Sequence, residues 1–259
     1  MVELYQGDCL EIMKQIPDKS IDMILCDLPY GTTACKWDTV IPFEPLWCEY
    51  NRIIKDNGAI CLFGSEPFSS LLRTSNLKMF KYDWVWNKVI PSGMSYARFQ
   101  PMRQTENISV FCKGKTEYNP QMVKRDKPIK QGGNKYSPSA PIQARKEGEE
   151  CKKTYEYKNP INILTYPKVR QGSLHPTQKP VDLLEYLIKT YTNEGDTVLD
   201  NCMGSGSTGV AAKALGRNFI GIELDENYFR IAKERIESNE VLSEVTTTDV
   251  VDMKTNKLF

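Results

Sequence analysis

Short apolar runs, each about one strand long and most followed by a segment of helical periodicity, limit the folds open to this chain more than any other feature. The runs are "SIDMILC" (20–26), "GAICLFG" (58–64), "DTVLD" (196–200) and "NFIGIEL" (218–224), with "VELYQ" (2–6) and "YDWVWNK" (82–88) beside them. Strands that are apolar with little alternation are covered on both faces, and the intervening segments supply the cover. In the first third these segments are "LEIMKQI", "FEPLWCEYNRIIK" and "PFSSLLRTSN", the last with Pro at its first turn. In the final third Pro180 opens "VDLLEYLIKTYT", Gly216 ends "TGVAAKALG", and Asp225 caps the amphipathic "DENYFRIAKERIES". The rhythm predicts an α/β fold with a doubly wound, mostly parallel sheet. A hydrophobic content of 40% over 259 residues supports one large domain or two small ones.

The middle of the chain breaks the rhythm. Lys113 to Arg170 holds 14 Lys/Arg and 6 Asp/Glu, a local net of +8 in a chain whose total is +1. Six prolines and the tyrosines Tyr118, Tyr136, Tyr155, Tyr157 and Tyr166 are spread through it, and no helical period survives. This reads as a loop-rich basic insertion. The expected organisation is 1–90 and 171–240 as two halves of one domain, 91–170 as the insertion and 241–259 as a tail.

Several function classes are excluded early. The eight cysteines include no C-x-x-C pair, and His175 is the sole histidine, so no metal site is expected and the thiols read as reduced and buried. The opening "MVELYQGDCL" has no basic and apolar leader, and no stretch reaches 18 apolar residues. Neither secretion nor a membrane span is expected.

Two strand tips carry the chemistry. "VLDNCMGSGSTGVAA" (198–212) puts Gly204 and Gly206 between a strand and a helix, and Glu223 ends the next strand. An acid at that spacing binds ribose hydroxyls in nucleotide folds. The glycines do not follow G-x-G-x-x-G, and Asp200 beside them would repel a pyrophosphate, which weakens a nicotinamide-dinucleotide reading. A cationic ligand with a ribose and no phosphate, such as S-adenosylmethionine, suits the same charge. The other tip is "CDLPYGTT" (26–33), an acid, a Pro and a Tyr following a buried strand. Alone, it is also a respectable turn.

Taken together, "DLPY", "DNCMGSGST" and "HPTQKPVDLLEYLIKTYTNEGDTVLD" (175–200) resemble the DNA amino-methyltransferases that act on adenine N6 or cytosine N4. Their order, catalytic motif first, basic insertion next and cofactor loop last, is that of the family's beta class. The family's motif is Asp/Asn/Ser-Pro-Pro-Tyr, and Leu28 departs from it at a position that contributes a backbone carbonyl. The resemblance implies a seven-stranded sheet of the S-adenosylmethionine-dependent methyltransferase type. It implies a site-specific enzyme that flips a base from double-stranded DNA, with Asp favouring adenine N6. Cytosine N4 methylation, or a catalytically silent DNA-binding relative, are the alternatives.

The resemblance also assigns residues. Asp27, Leu28, Pro29 and Tyr30 would be catalytic. Asp8, His175, Thr177, Lys179, Pro180, Asp200, Gly204, Gly206, Ser207 and Glu223 would hold the cofactor, although Asp8 also suits a helix N-cap and Lys179 a solvated position. In "PSGMSYARFQPMRQTEN" (91–107), Arg98, Arg103 and Gln104 are candidate base readers, since Arg suits guanine and Gln adenine. Lys124, Arg125, Lys127 and Lys130 would contact phosphates. The implied setting is bacterial or phage-encoded and cytoplasmic, with no membrane partner; a homodimer and a cognate restriction endonuclease are compatible with it.

Overall fold

The computed structural model describes residues 1–31, 38–130, 154–169 and 178–238. His175, Thr177 and the tail 241–259 lie outside the described residues. The elements are β1 (Val2–Gln6), α1 (Cys9–Met13), β2 (Ile21–Cys26), α2 (Phe43–Ile53), β3 (Ile54–Gly64), α3 (Phe68–Ser75), β4 (Phe80–Ser92), β5 (Arg103–Phe111), β6 (Val123–Lys130), β7 (Thr154–Lys158), β8 (Ile163–Thr165), α4 (Val181–Tyr191), β9 (Thr197–Asp200), α5 (Ser207–Ala214), β10 (Asn218–Glu223) and α6 (Glu226–Glu237).

Eight strands form one sheet in the order β1-β10-β9-β2-β3-β5-β4-β8. The neighbours β1, β10, β9, β2 and β3 all pair in parallel, while β5 runs antiparallel to both β3 and β4. The seven strands expected become eight because the three-residue β8 joins the free edge of β4 in parallel. Chain direction across the sheet reverses between β2 and β9, since β2 is followed outward by β3 and β9 by β10. In open α/β sheets ligands bind outside the carboxyl ends of strands at such a reversal.

Both faces are covered, as the apolar runs require. Met23 and Leu25 of β2 pack with Leu183, Leu184 and Leu187 of α4, Ala211 and Ala212 of α5 and Ile236 of α6. Ile24 and Cys26, pointing the other way, pack with Met13 of α1, Leu46 and Tyr50 of α2 and Phe68 of α3. A period of two within one short strand thus serves two cores.

Two compact units divide the chain, the second being Pro120–Ile161. This is narrower than the 91–170 expected for the insertion. Ile108, Val110 and Phe111 of β5 are fully buried, which fixes that strand in the sheet, and Leu164 of β8 is 5% exposed. Within the second unit, β6 and β7 pair antiparallel, and their described residues are mostly exposed.

Candidate active site

A cavity of about 350 Å³ opens at the carboxyl ends of β1, β10, β9 and β2. Gly7 and Asp8 after β1, Asp27–Tyr30 after β2, Asn201, Cys202 and Gly204 after β9, and Glu223 and Leu224 at the end of β10 all line it. Asp38–Pro42 and Tyr228 complete the wall. Asp8, Asp27, Asp38 and Glu223 are acidic, and no Lys, Arg or His stands among the described lining residues. This charge suits a cationic ligand and opposes a pyrophosphate. Leu10, Val40, Ile41 and Leu224 add apolar wall for a flat ring.

Asp27 stands where β2 ends. Its Oδ1 accepts the Tyr30 hydroxyl at 2.6 Å, and its Oδ2 accepts the Lys179 ammonium at 2.6 Å. Burial pushes the Asp27 carboxyl up, while Lys179 pulls the other way. Lys179 itself is held above its ordinary value: burial opposes its charge, but the carboxylates of Asp27 and Glu106 outweigh burial. Burial, and then the Asp27 charge, keep the Tyr30 phenol protonated and donating. An ionised carboxylate has about four lone-pair sites, so two donors leave acceptor capacity. The Tyr30 ring is stacked on Phe68, with centroids 4.9 Å apart and planes at 27°. The Leu28 side chain is 3% exposed and packs into the core under α2 and α3, so the backbone is what this residue can present to the cavity. Gly31, at φ +68°, completes the turn and donates its N–H to Asp38 Oδ1 at 2.9 Å.

The Glu223 carboxylate ties two loops together. Oε2 accepts the Gly204 N–H at 2.8 Å and Oε1 the Asp225 N–H at 2.9 Å. Gly204 has φ +52°, a conformation glycine adopts without penalty. Asp8 lines the cavity and also caps α1, accepting the Leu10 N–H at 2.8 Å. Its two sequence readings are therefore compatible.

Other expected cofactor residues lie behind this wall. Asp200 is 4% exposed and accepts the Cys202 N–H at 3.1 Å, bracing the loop from beneath. Burial raises its carboxyl to about 6, against a hydrogen bond from Thr208. Ser207 accepts the Arg235 guanidinium of α6 at 2.9 Å. At Gly206, with φ +78°, a Cβ would meet Ala232 and Ile236 at 2.9–3.1 Å, so this glycine serves the approach of α6 to the loop. Pro180 is the N-cap residue of α4. Lys179, expected as a solvated or cofactor residue, is 8% exposed and bonded to Asp27.

Among the candidate readers, Arg98 is exposed beyond the short turn Met94–Tyr96, and Arg103 reaches the Glu66 carbonyl at 3.4 Å. The Gln104 amide donates to Asn87 Oδ1 at 3.0 Å, so that donor is engaged within the sheet. Lys124 and Lys127 are exposed on β6, Arg125 donates to the Tyr157 carbonyl of β7 at 3.2 Å, and Lys130 is the last residue of β6. Sequence reasoning missed Glu106 and Lys88. Both lie among other polar residues of β4 and β5, so nothing in the sequence set them apart.

Comparison with known proteins places the chain among DNA methylases. The N6/N4 family model, described as DNA methylase, matches residues 21–234. The type II methyltransferase M.HinfI of Haemophilus influenzae is 31% identical, over 90% of this chain and 67% of its own length. The Escherichia coli protein named DNA adenine methyltransferase YhdJ is 29% identical, over 98% of this chain and 88% of its own. The crystal structure of the M1.HpyAVI–SAM complex superposes with a TM-score of 0.60 at 28% identity, covering 91% of this chain and all of that one.

Proposed function

Since the chain belongs to the N6/N4 family of S-adenosylmethionine-dependent DNA methyltransferases, we propose that it methylates the N6 amino group of adenine, in duplex DNA, at a base flipped into the cavity beside Asp27. The observation that carries this reading is the Asp27 carboxylate at a strand tip, on a cavity with no basic residue among its described lining and close to a stacked tyrosine. The printed name of the Escherichia coli relative supports adenine, as does Asp at the first motif position.

The acidic cavity fits S-adenosylmethionine, which supplies a methyl group on a positively charged sulfur. Asp8, Gly204 and Glu223 would hold its ribose and adenine end, by backbone approach and carboxylate acceptors. The nucleobase end falls to this chain's catalytic motif. Adenine N6 is a weak nucleophile because its lone pair is delocalised into the ring. Asp27 would accept one N–H and the Leu28 carbonyl the other, which fixes the amino group and turns its lone pair toward the methyl donor. Tyr30 would stack on the extruded ring with its face not covered by Phe68, offsetting the few kcal/mol that flipping costs. Asp27 or water then takes the proton that the methylated amine sheds, since that cation is far more acidic than the starting amine.

Incubation of unmodified duplex DNA with the protein and S-adenosylmethionine, followed by nucleoside mass analysis, should yield N6-methyladenine. N4-methylcytosine as the sole product would overturn the adenine assignment. Asp27→Ala should abolish transfer, by at least about 10³-fold, while cofactor binding by calorimetry persists. Equal transfer by both proteins would remove the mechanism.

A further inference from the structure

Behind Asp27 runs a row of alternating charge that the proposed mechanism does not use. Lys179 Nζ lies 2.6 Å from Asp27 Oδ2 and 3.5 Å from Glu106 Oε2. Lys88 Nζ lies 3.1 Å from Glu106 Oε1 and 3.3 Å from the Ser92 hydroxyl. The four side chains alternate in sign, sum to zero charge, and are 7–21% exposed. They cross the strand tips in sheet order, from the end of β2 past β3 to β5 and β4. The Lys179 ammonium also stands 5.1 Å from the Phe63 ring centroid and 5.8 Å from that of Trp86. Its position is thus fixed by two carboxylates and two aromatic rings at once.

Four buried charges are not needed to close this part of the core. A network of this kind is on average no more stabilising than apolar side chains of the same volume. The backbone is also strained to build it. The pairing of β4 with β5 slips between Asn87 and Ser92, and Val89, next to Lys88, has φ +66°. That conformation is rare for a β-branched residue, and such strain gathers where a side chain must be aimed.

We infer that Glu106 and Lys88 are positioning residues for the transfer, acting through Lys179: Lys179 keeps Asp27 charged, and Glu106 draws the ammonium partly off it, so that Asp27 stays aimed yet keeps acceptor capacity for the incoming amine. Lys88 neutralises the far side of Glu106 and stops that carboxylate from capturing Lys179 outright. If Lys179 had Asp27 as its only partner, the carboxylate would bond to it more tightly and accept the amine less well. Without Lys179, burial would leave Asp27 protonated and useless as an acceptor over more of the pH range. The inference rests on the methyltransferase reading for its catalytic consequence, but not for its electrostatics.

The groups facing Asp27 are the Tyr30 hydroxyl, the Lys179 ammonium and, beyond it, Glu106; the Cys26 thiol and Asp200 lie behind, and Asp8, Asp38 and Glu223 share the cavity. Removing one charge at a time therefore has opposite signs. Glu106→Gln should move the acidic limb of kcat to lower pH, by about one unit, and Lys179→Met should move it to higher pH by at least as much. Lys88→Met should give a smaller upward shift. In Glu106→Gln, kcat should fall at least about tenfold at the pH optimum with KM for S-adenosylmethionine unchanged. A loss confined to stability would leave the limb in place.

The same variants should be read without turnover, by following the Asp27 carboxyl carbon in a 13C NMR titration of the full-length protein. Opposite displacements of that titration in Glu106→Gln and Lys179→Met support the network. Displacements of the same sign, or none in either protein, overturn it. If the titration moves as stated while no variant and not even the parent transfers a methyl group, the functional reading fails and the network stands. Should Glu106→Gln not fold, the contrast of Lys179→Met with Lys179→Arg decides: arginine, which retains the charge, should restore the parental limb, and failure to do so would refute the inference.

Discussion

At the scale of single residues, acids sit where burial works against their charge. Asp200 is the clearest case, 4% exposed with a carboxyl raised to about 6. A carboxyl that holds its proton more tightly folded than unfolded favours the fold most below pH 4. Its contribution falls as pH rises from about 4 through 6 and is level above that. Asp200→Asn keeps the oxygen that accepts the Cys202 N–H and removes this dependence. It should therefore be more stable than the parent above pH 6, by up to about 3 kcal/mol, and the difference should vanish near pH 4; urea unfolding at several pH values measures it. Lys179 differs, because its charge is held by two partners. Lys179→Ala, which leaves Asp27 without a cation and Glu106 with Lys88 alone, should lose about 3–5 kcal/mol in the same assay at pH 7.

At the scale of elements, the α5–α6 layer is built on small residues. A Cβ at Gly209 would stand 2.5 Å from Ile236 Cδ1 and 2.6 Å from the Phe219 ring, so Gly209→Ala forces α5 away from both α6 and β10. The expected cost is about 1–3 kcal/mol, seen as a thermal midpoint lowered by about 2–4 °C for each kcal/mol. Elements of this kind were legible in the sequence. The strands β1, β2, β9 and β10 read correctly from apolar runs, and α2, α4 and α6 from their periodicity. Strand β5 was hidden because "RQTEN", its first half, is polar, and only Ile108–Phe111 are buried. Strands β6 and β7 were illegible for a different reason: exposed on both faces, they carry no alternation to detect. The strand tip at 27–30 drew notice through its motif, and the structure places it on the cavity. The network behind it did not, since Lys88, Glu106 and Lys179 are far apart in sequence and meet only once β5 and β4 pair. Gly206 and Ser207 show the reverse, as a glycine-rich loop signals tight approach without saying whether ligand or helix does the approaching.

At the scale of the molecule, the net charge of +1 conceals two populations: an acidic cavity and a basic segment. In the proposed DNA complex, Lys124 and Lys127 on the exposed β6 strand would touch phosphates. The double variant Lys124→Ala/Lys127→Ala should weaken binding to all duplexes alike and reduce the slope of log K against log salt by about two; a changed sequence preference would show instead that they read bases. The Pro120–Ile161 unit, which holds most of the basic segment, departs after β5 and returns before β8, and both of these strands lie on the flank of the sheet away from β1, β10 and β9. The tips that line the cavity therefore belong to strands in which neither junction lies. Lengthening, shortening or exchanging the segment alters none of the strands whose tips line the cavity, and meets the charge network only at β5, which carries Glu106. If the segment holds the DNA as proposed, descendants of such a chain would acquire new target words while inheriting the chemistry unchanged.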